Sequence, residues 1–345
     1  EALYIYLLQK REENELSKTY TAWNSRIIQP PMGSDAPTSP RRSIILLAAL
    51  AIGICIPAGL LFLRETLNHT VRGRADLEGM QIPLIGEIPA MINKKRWWSK
   101  NKKNVQRKVY VKDNSRDLIN ESFRILRTKL DYFIKSLGTD DKVIMLTSFN
   151  PGSGKSFITL NLTKALSLKG CKVLAIDFDL RHASISDSAA KTQHGLTAFL
   201  GNMTDDIESC IQHNVLGKGA DILPVGIIPP NPAELLLNDK IKDLFDKLRQ
   251  EYDYIILDCP PIEIVADTSI IKDYTDVTLF VVRAGVMDRR SLKDVDALYK
   301  QNTYKRMAML LNDTPFIKGR YGSYRYGYGY GYGYGYGYGY GDKTK

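Results

Sequence analysis

The chain has 345 residues, 44% of them hydrophobic, which is enough for one large globular domain with appendages. Its formal net charge of +10 points to an acidic partner, anionic lipid or nucleic acid without choosing among them. The four cysteines, Cys55, Cys171, Cys210 and Cys259, show neither Cys-x-x-Cys spacing nor a ligand pattern with His182, His194 or His213, so a disulfide framework and a zinc site are excluded.

The chain opens on Glu1, not Met, which leads us to expect a fragment with sequence removed upstream. Residues 1–20, rich in Leu, Glu and Lys, read as the end of a long helix with Leu3, Leu7, Leu8 and Leu16 along one face. Pro30, Pro31, Pro37 and Pro40 then enforce an extended linker, so 1–42 is one helical region plus linker. Residues 43–63 hold no charged side chain and match the roughly 20 apolar residues of a membrane-spanning helix. Gly53, Pro57 and Gly59 are tolerated there. A folded-looking segment precedes this stretch and no small-residue cleavage site follows it, which excludes a signal peptide.

Residues 64–112 read as a basic juxtamembrane linker. Lys94, Lys95, Arg96, Lys100, Lys102, Lys103, Arg107 and Lys108 place this side in the cytoplasm. With Trp97 and Trp98, the run is either a contact for anionic lipid head groups or a solvated linker. From residue 113 to 318, strand-like runs alternate with helical stretches: 143–147, 173–176, 221–224, 254–257, 277–282 and 307–311. That alternation predicts an α/β three-layer domain around a mostly parallel sheet. Residues 319–345 are a low-complexity tail. Ten tyrosines stand there, Tyr321, Tyr324, Tyr326, Tyr328, Tyr330, Tyr332, Tyr334, Tyr336, Tyr338 and Tyr340, mostly alternating with glycine. With almost no aliphatic surface to bury and much glycine entropy to lose, this tail is expected to be disordered.

Three motifs carry chemistry. The first is a strand, loop and helix start containing Pro151-Gly152-Ser153-Gly154-Lys155-Ser156-Phe157, the second half of a P-loop. Its glycines let backbone N–H groups turn around phosphate oxygens, Lys155 supplies charge to the β- and γ-phosphates, and Ser156 offers a hydroxyl to Mg²⁺. Phe149 stands where the motif usually has its first glycine. The second is the strand ending in Asp177 and Asp179, which the period of two aims to one side. The third is the strand ending in Asp258, in the position of a Walker B carboxylate. Each strand-end Asp alone reads equally as a helix cap or turn residue; the three together, in this order, point to a nucleotide site.

These residues, with Arg181, Pro229-Pro-Asn-Pro-Ala-Glu-Leu-Leu236 and the tyrosine cluster, resemble the bacterial tyrosine autokinases (BY-kinases) of capsule and exopolysaccharide systems, from Pro30 to the last residue. The resemblance implies a P-loop NTPase fold, ATP and Mg²⁺ as cofactors, and phosphorylation of the tail tyrosines in trans. It implies Lys155, Asp177 and Asp179 as catalytic, 151–157 and Asn312 as ATP-binding, and Ser156, Asp177 and Asp258 around the metal. It makes Glu121-x-x-Arg124-x-x-Arg127 the contact of a ring homo-oligomer, an octamer by family expectation, with Phe123, Leu126, Leu130 and Phe133 as the core-facing stripe of that helix. It further implies a bacterial inner-membrane location with the kinase domain in the cytoplasm. A protein-tyrosine phosphatase and the polysaccharide polymerisation and export machinery are the implied partners, and no nucleic acid. Residues 1–40 then belong to the periplasmic end of a chain-length-determinant domain, preceded by a first span. Partition-type ATPases carry a signature lysine where Asn150 stands, which separates this chain from them. No eukaryotic-type kinase motif is present. Asn231-Pro-Ala-Glu234 is read as a helix start capped by Asn231, without a catalytic role. An ATP-gated polymerisation scaffold in which phosphorylation is incidental is the alternative reading.

Overall fold

The computed structural model describes residues 1–20, 33, 41–91, 109–113, 115–136, 142–188, 194–263 and 267–315. The chain divides into two compact units, Glu1–Asn68 and His69–Lys345.

The first unit holds α1 (Ala2–Tyr20) and α2 (Arg42–Thr66). In α2 the 24-residue stretch Ser43–Thr66 contains an 18-residue window with a mean hydropathy of 2.7, none of it buried. A helix of that length and composition is long and apolar enough to cross a membrane. Leu3, Leu7, Leu8 and Leu16 of α1 are all exposed.

In the second unit the elements follow as β1 (Leu84–Pro89), α3 (Leu118–Lys135), β2 (Val143–Thr147), α4 (Lys155–Ser167), β3 (Val173–Asp177), α5 (Leu196–Leu200) and β4 (Ala220–Leu223). Then come α6 (Pro232–Leu236), α7 (Lys240–Glu251), β5 (Tyr254–Asp258), α8 (Asp267–Ile271), β6 (Val277–Arg283), α9 (Leu292–Lys300) and β7 (Met307–Thr314). The strands make one sheet in the order β1-β7-β6-β2-β5-β3-β4, with every pair parallel.

Alternation along β2 explains the layering. Val143 and Met145 join the core that includes Ile241, Leu244, Phe245 and Leu248 of α7. Ile144 and Leu146 join the core with Phe123, Leu126 and Leu130 of α3 and Ile158, Leu162 and Leu166 of α4. A strand buried on both faces needs no polar alternation, so β2 and β3 are apolar up to their last residues, Thr147 and Asp177, and the domain has three layers, as expected from the sequence. On α3 the innermost stripe ends at Ile134, with Phe133 only partly covered.

The expected linker 64–112 is corrected by two features. Leu84–Pro89 is the sheet's edge strand, paired with β7 from Leu84↔Met309 to Pro89↔Thr314. Gly86 permits that position, because a Cβ there would lie 2.8 Å from Cδ1 of both Leu126 and Leu310. Upstream, Val71 is fully buried and its backbone exchanges hydrogen bonds with the segment after β6: its N–H donates to Met287 O, and the Gly285 N–H donates to Val71 O. The folded unit therefore begins some forty residues before the expected boundary. The basic run 94–108 and the tail tyrosines lie outside the described residues.

At α6, Pro232 takes the first turn as expected, but the Asn231 side chain does not cap the helix. Its amide instead donates to Glu234 Oε2 at 3.0 Å.

Candidate active site

Parallel strands carry their loops to one edge of the sheet, and the carboxyl ends of β2, β3, β5, β6 and β7 converge there. The loop after β2 is held by its own hydroxyls. Ser148 and Ser153 both donate to the Asn150 carbonyl at 2.7 Å. Gly152 and Gly154 adopt φ of +71° and +90°, a left-handed backbone that favours glycine. A Cβ on Gly154 would also come 2.2 Å from Asn312 Nδ2.

Two further strands brace this loop. The buried Asn312 side chain, at the end of β7, donates through Nδ2 to Ser153 O at 2.9 Å. Arg283, at the end of β6, donates through Nη1 to Gly152 O at 2.6 Å, while its Nε and Nη2 bind Asp313 Oδ2 at 3.0 and 2.8 Å. Holding carbonyls back in this way leaves backbone N–H groups to form an anion-binding concavity at the start of α4. Asn312, expected among the ATP-binding residues, thus has its amide nitrogen engaged by the phosphate loop. Phe157, expected among the ATP-binding residues, turns its ring into the core against Phe123 and Tyr110, with ring centroids 5.9 Å away in each case. Only its backbone remains for a phosphate. Pro151 and Gly152 are exposed at the loop's tip.

Lys155 is 8% exposed and donates through Nζ to Ser148 Oγ at 3.2 Å. Burial pushes its pKa down, while the nearby Asp258 and Asp179 carboxylates oppose that. The strand ends Asp177 and Asp258 stand in register on neighbouring β3 and β5. Burial pushes both of their pKa values up. For Asp177 the Asp258 charge adds to the rise; for Asp258 the Lys155 charge and the adjacent Ser156 hydroxyl offset part of it.

The two carboxylates differ in their partners. Asp177 Oδ2 accepts from Ile185 N and Ser186 N at 2.9 Å and from Ser186 Oγ at 2.7 Å, and its Oδ1 accepts from Asp179 N at 3.3 Å. Both oxygens of Asp258 are buried and reach no donor at hydrogen-bonding geometry, although Ser156 lies beside them. A buried carboxylate left with both oxygens unpartnered is costly unless something binds it. A divalent cation held by Ser156, Asp258 and phosphate oxygens fits that gap, because hard oxygen donors and incomplete protein ligation suit Mg²⁺. Among the described residues no cluster of three His, Cys, Asp or Glu offers a metal cage on its own. Asp179, 7% exposed, accepts through Oδ1 from His182 N at 3.1 Å and lies close enough to act on Lys155 and Asp258.

Glu121, Arg124 and Arg127 do not join this edge. Arg124 pairs with Glu121 at 3.5 Å on the surface of α3. Arg127 donates to Ala165 O at 2.7 Å, near the carboxyl end of α4, whose other end forms the phosphate loop. Three contributors to the site, Arg283, Asp313 and Ser186, escape sequence reasoning. Arg283 and Asp313 stand at or beside a strand end and Ser186 lies nine residues beyond β3, with no local signal that Arg283 meets Gly152 or that Ser186 meets Val225.

Comparison with known proteins agrees with this fold. Residues 1–66 match the family described as "G-rich domain on putative tyrosine kinase", and residues 141–300 match the AAA domain family. The kinase domain of the Escherichia coli tyrosine kinase ETK superposes with a TM-score of 0.59 at 28% identity, covering 74% of this chain and 95% of that one. The VpsO kinase domain, with a TM-score of 0.50, is 30% identical over 57% of this chain and 96% of its own. The chain belongs to the bacterial tyrosine kinase family. Tyrosine-protein kinase etk of E. coli K12 is 30% identical over 83% of this chain and 40% of its own length. The chain thus spans about two fifths of the curated kinases it matches. Family membership bears out the resemblance read from the three motifs, and the seven-stranded parallel sheet bears out the fold.

Proposed function

We propose that this chain is an ATP- and Mg²⁺-dependent protein-tyrosine autokinase. It phosphorylates its C-terminal tyrosines in trans within a ring of its own copies, octameric by family expectation. It is anchored by α2 in the bacterial inner membrane with the kinase domain in the cytoplasm, and it regulates capsular or exopolysaccharide polymerisation and export. A protein-tyrosine phosphatase reverses the modification, and the polymerisation and export machinery responds to it.

The observation that carries the proposal is the buried, unpartnered Asp258 beside Lys155 and Ser156 at the mouth of a braced phosphate loop. In a phosphoryl transfer the protein mainly positions groups and stabilises charge. Lys155 and the loop N–H groups stabilise charge on the transferring phosphoryl. Ser156 and Asp258 would hold Mg²⁺, which would supply neutralisation of the phosphate oxygens. Asp177 orients the tyrosine hydroxyl; an Asp is a poor base for a phenol of pKa about 10, so proton loss comes late in a loose transition state. Asp179 supports the metal surroundings. The tail supplies acceptor hydroxyls at high effective concentration within a ring, and each phosphate brings roughly −1.5 to −2 charge. Accumulated charge then loosens a ring held through Glu121, Arg124 and Arg127.

The test is incubation of the detergent-purified chain with Mg-ATP and mapping of phosphotyrosine by mass spectrometry, beside Lys155→Met and Asp177→Asn. Tail phosphotyrosine in the parent and its loss in both variants is the expected result. ATP binding without any phosphotyrosine in the parent overturns the kinase and leaves the scaffold reading.

A further inference from the structure

Asp177 is the most heavily bonded carboxylate at the site, and its partners are unevenly distributed. Among the described residues, three donors converge on Oδ2, whereas Oδ1 receives a single long contact from the Asp179 N–H. Two of the three are backbone N–H groups of Ile185 and Ser186, set by the path of the chain. The third, the Ser186 hydroxyl, is a side-chain choice. That hydroxyl also accepts from the Val225 N–H at 2.9 Å. A hydroxyl that accepts on one side directs its single proton to the other, so Ser186 is committed to Asp177. Val225 is itself fixed: fully buried, with its carbonyl taking the Thr197 hydroxyl at 2.8 Å. The chain of contacts therefore runs from the loop after β4, through one serine, to the end of β3.

We infer that Ser186 is a positioning residue for tyrosine phosphorylation: its hydroxyl locks the Asp177 carboxylate with Oδ2 against the backbone, presenting Oδ1 to the incoming tyrosine hydroxyl. The inference rests on the proposed role of Asp177 in orienting that hydroxyl. Without the Ser186 hydroxyl, the Ile185 and residue-186 N–H groups still hold Asp177, so the carboxylate stays in the site but its plane is free to rotate. The consequence falls on the chemical step and not on ATP binding, because Ser186 touches none of the groups assigned to the phosphates.

The experiment measures tail phosphorylation by the full chain as a function of ATP concentration, with ATP affinity followed separately by a fluorescent nucleotide. Ser186→Ala should lower kcat by about 10- to 100-fold, as loss of an outer partner of a functional group does, with KM for ATP and nucleotide affinity unchanged. Ser186→Thr, which keeps a hydroxyl, should restore most of the rate. Ser186→Cys, close in size and a weak donor, should keep the fold and remain slow, which separates bonding from packing if the alanine variant misfolds. The double variant Ser186→Ala/Asp177→Asn should be no slower than Asp177→Asn alone. Parent-like rates in both the alanine and cysteine variants, or losses that multiply in the double variant, overturn the inference. If Asp177→Asn is slow while those Ser186 variants match the parent, only the role of Ser186 falls. If Asp177→Asn itself matches the parent, the role of Asp177 falls and the inference with it.

Discussion

Two aspartates at opposite ends of the same sheet, Asp276 partly buried and Asp258 fully so, have opposite surroundings. Asp276 lies just before β6, at the amino edge. Its carboxylate takes the Arg249 guanidinium through both Nη1 and Nη2 at 2.7 Å and the Lys142 and Val143 N–H groups at 2.9 Å. Asp258 lies at the end of β5, on the carboxyl edge, with both oxygens unpartnered. Burial disfavours ionisation of each. At Asp276 the bonds from Arg249, Val143 and Lys142 outweigh burial and hold the pKa below the ordinary 3.8. At Asp258 burial wins over Lys155 and the pKa rises. One end of the sheet is satisfied for stability, and the other holds its polar groups in reserve for a ligand.

Asp258→Asn tests this contrast most severely. Tail phosphorylation should fall by at least about 100-fold, since charge stabilisation at the transferring group is lost. The nucleotide-free protein should become more stable near neutral pH by about 1–3 kcal/mol, because the unpaired charge is gone. The sign follows from the raised folded pKa: the stabilising contribution is complete below 3.8 and is lost as pH rises through the folded value. The gain in melting temperature should thus be larger at pH 8 than at pH 5. An unchanged or lower melting temperature at pH 8 would mean that Asp258 is not strained in the free protein.

Arg249→Met attacks the opposite edge. It leaves Asp276 without its cation and should destabilise the fold by about 3 kcal/mol, read as a lower urea midpoint. Asp276 contributes stability above 3.8 that is lost as pH falls through its depressed folded value, so this variant should also show a flatter acid branch than the parent. Phosphorylation per folded molecule should not change.

Much of this contrast is legible in the sequence. The six apolar runs give six strands, because a strand covered on both faces is apolar along its length. Asp177, Asp258 and Lys155 announce themselves at strand ends and in a short motif. β1 does not. Leu84-Ile-Gly-Glu-Ile-Pro89 is interrupted by Gly, Glu and Pro and precedes a basic run, so nothing local separates it from linker. Ser186 and Arg283 are invisible for another reason. Their meaning resides in contacts made only after folding: Arg283 reaches Gly152 across 131 residues and Ser186 reaches Val225 across 39. The helix stripe that ends on Ile134 instead of Phe133 reflects a drift of one position that the 3.6-residue period permits.

The smallest expected effect concerns a surface outside both edges. The Glu121–Arg124 pair is 3.5 Å apart with side chains 51% and 41% exposed, so Glu121→Ala should alter unfolding of the isolated subunit by less than about 0.5 kcal/mol. A change in assembly size by light scattering without a change in denaturation midpoint would mark this pair as a contact between copies.

The pairing of β1 with β7 also sets an order of events during synthesis. The Thr314 hydroxyl meets the Ile88 carbonyl across 226 residues of chain. A strand that leaves the ribosome early must therefore wait, unpaired, until nearly the whole domain has emerged. The strand that follows α2 in sequence is then the last to be stitched into the sheet. Folding of the second unit then finishes when the end of the domain closes back onto the strand that the chain made first.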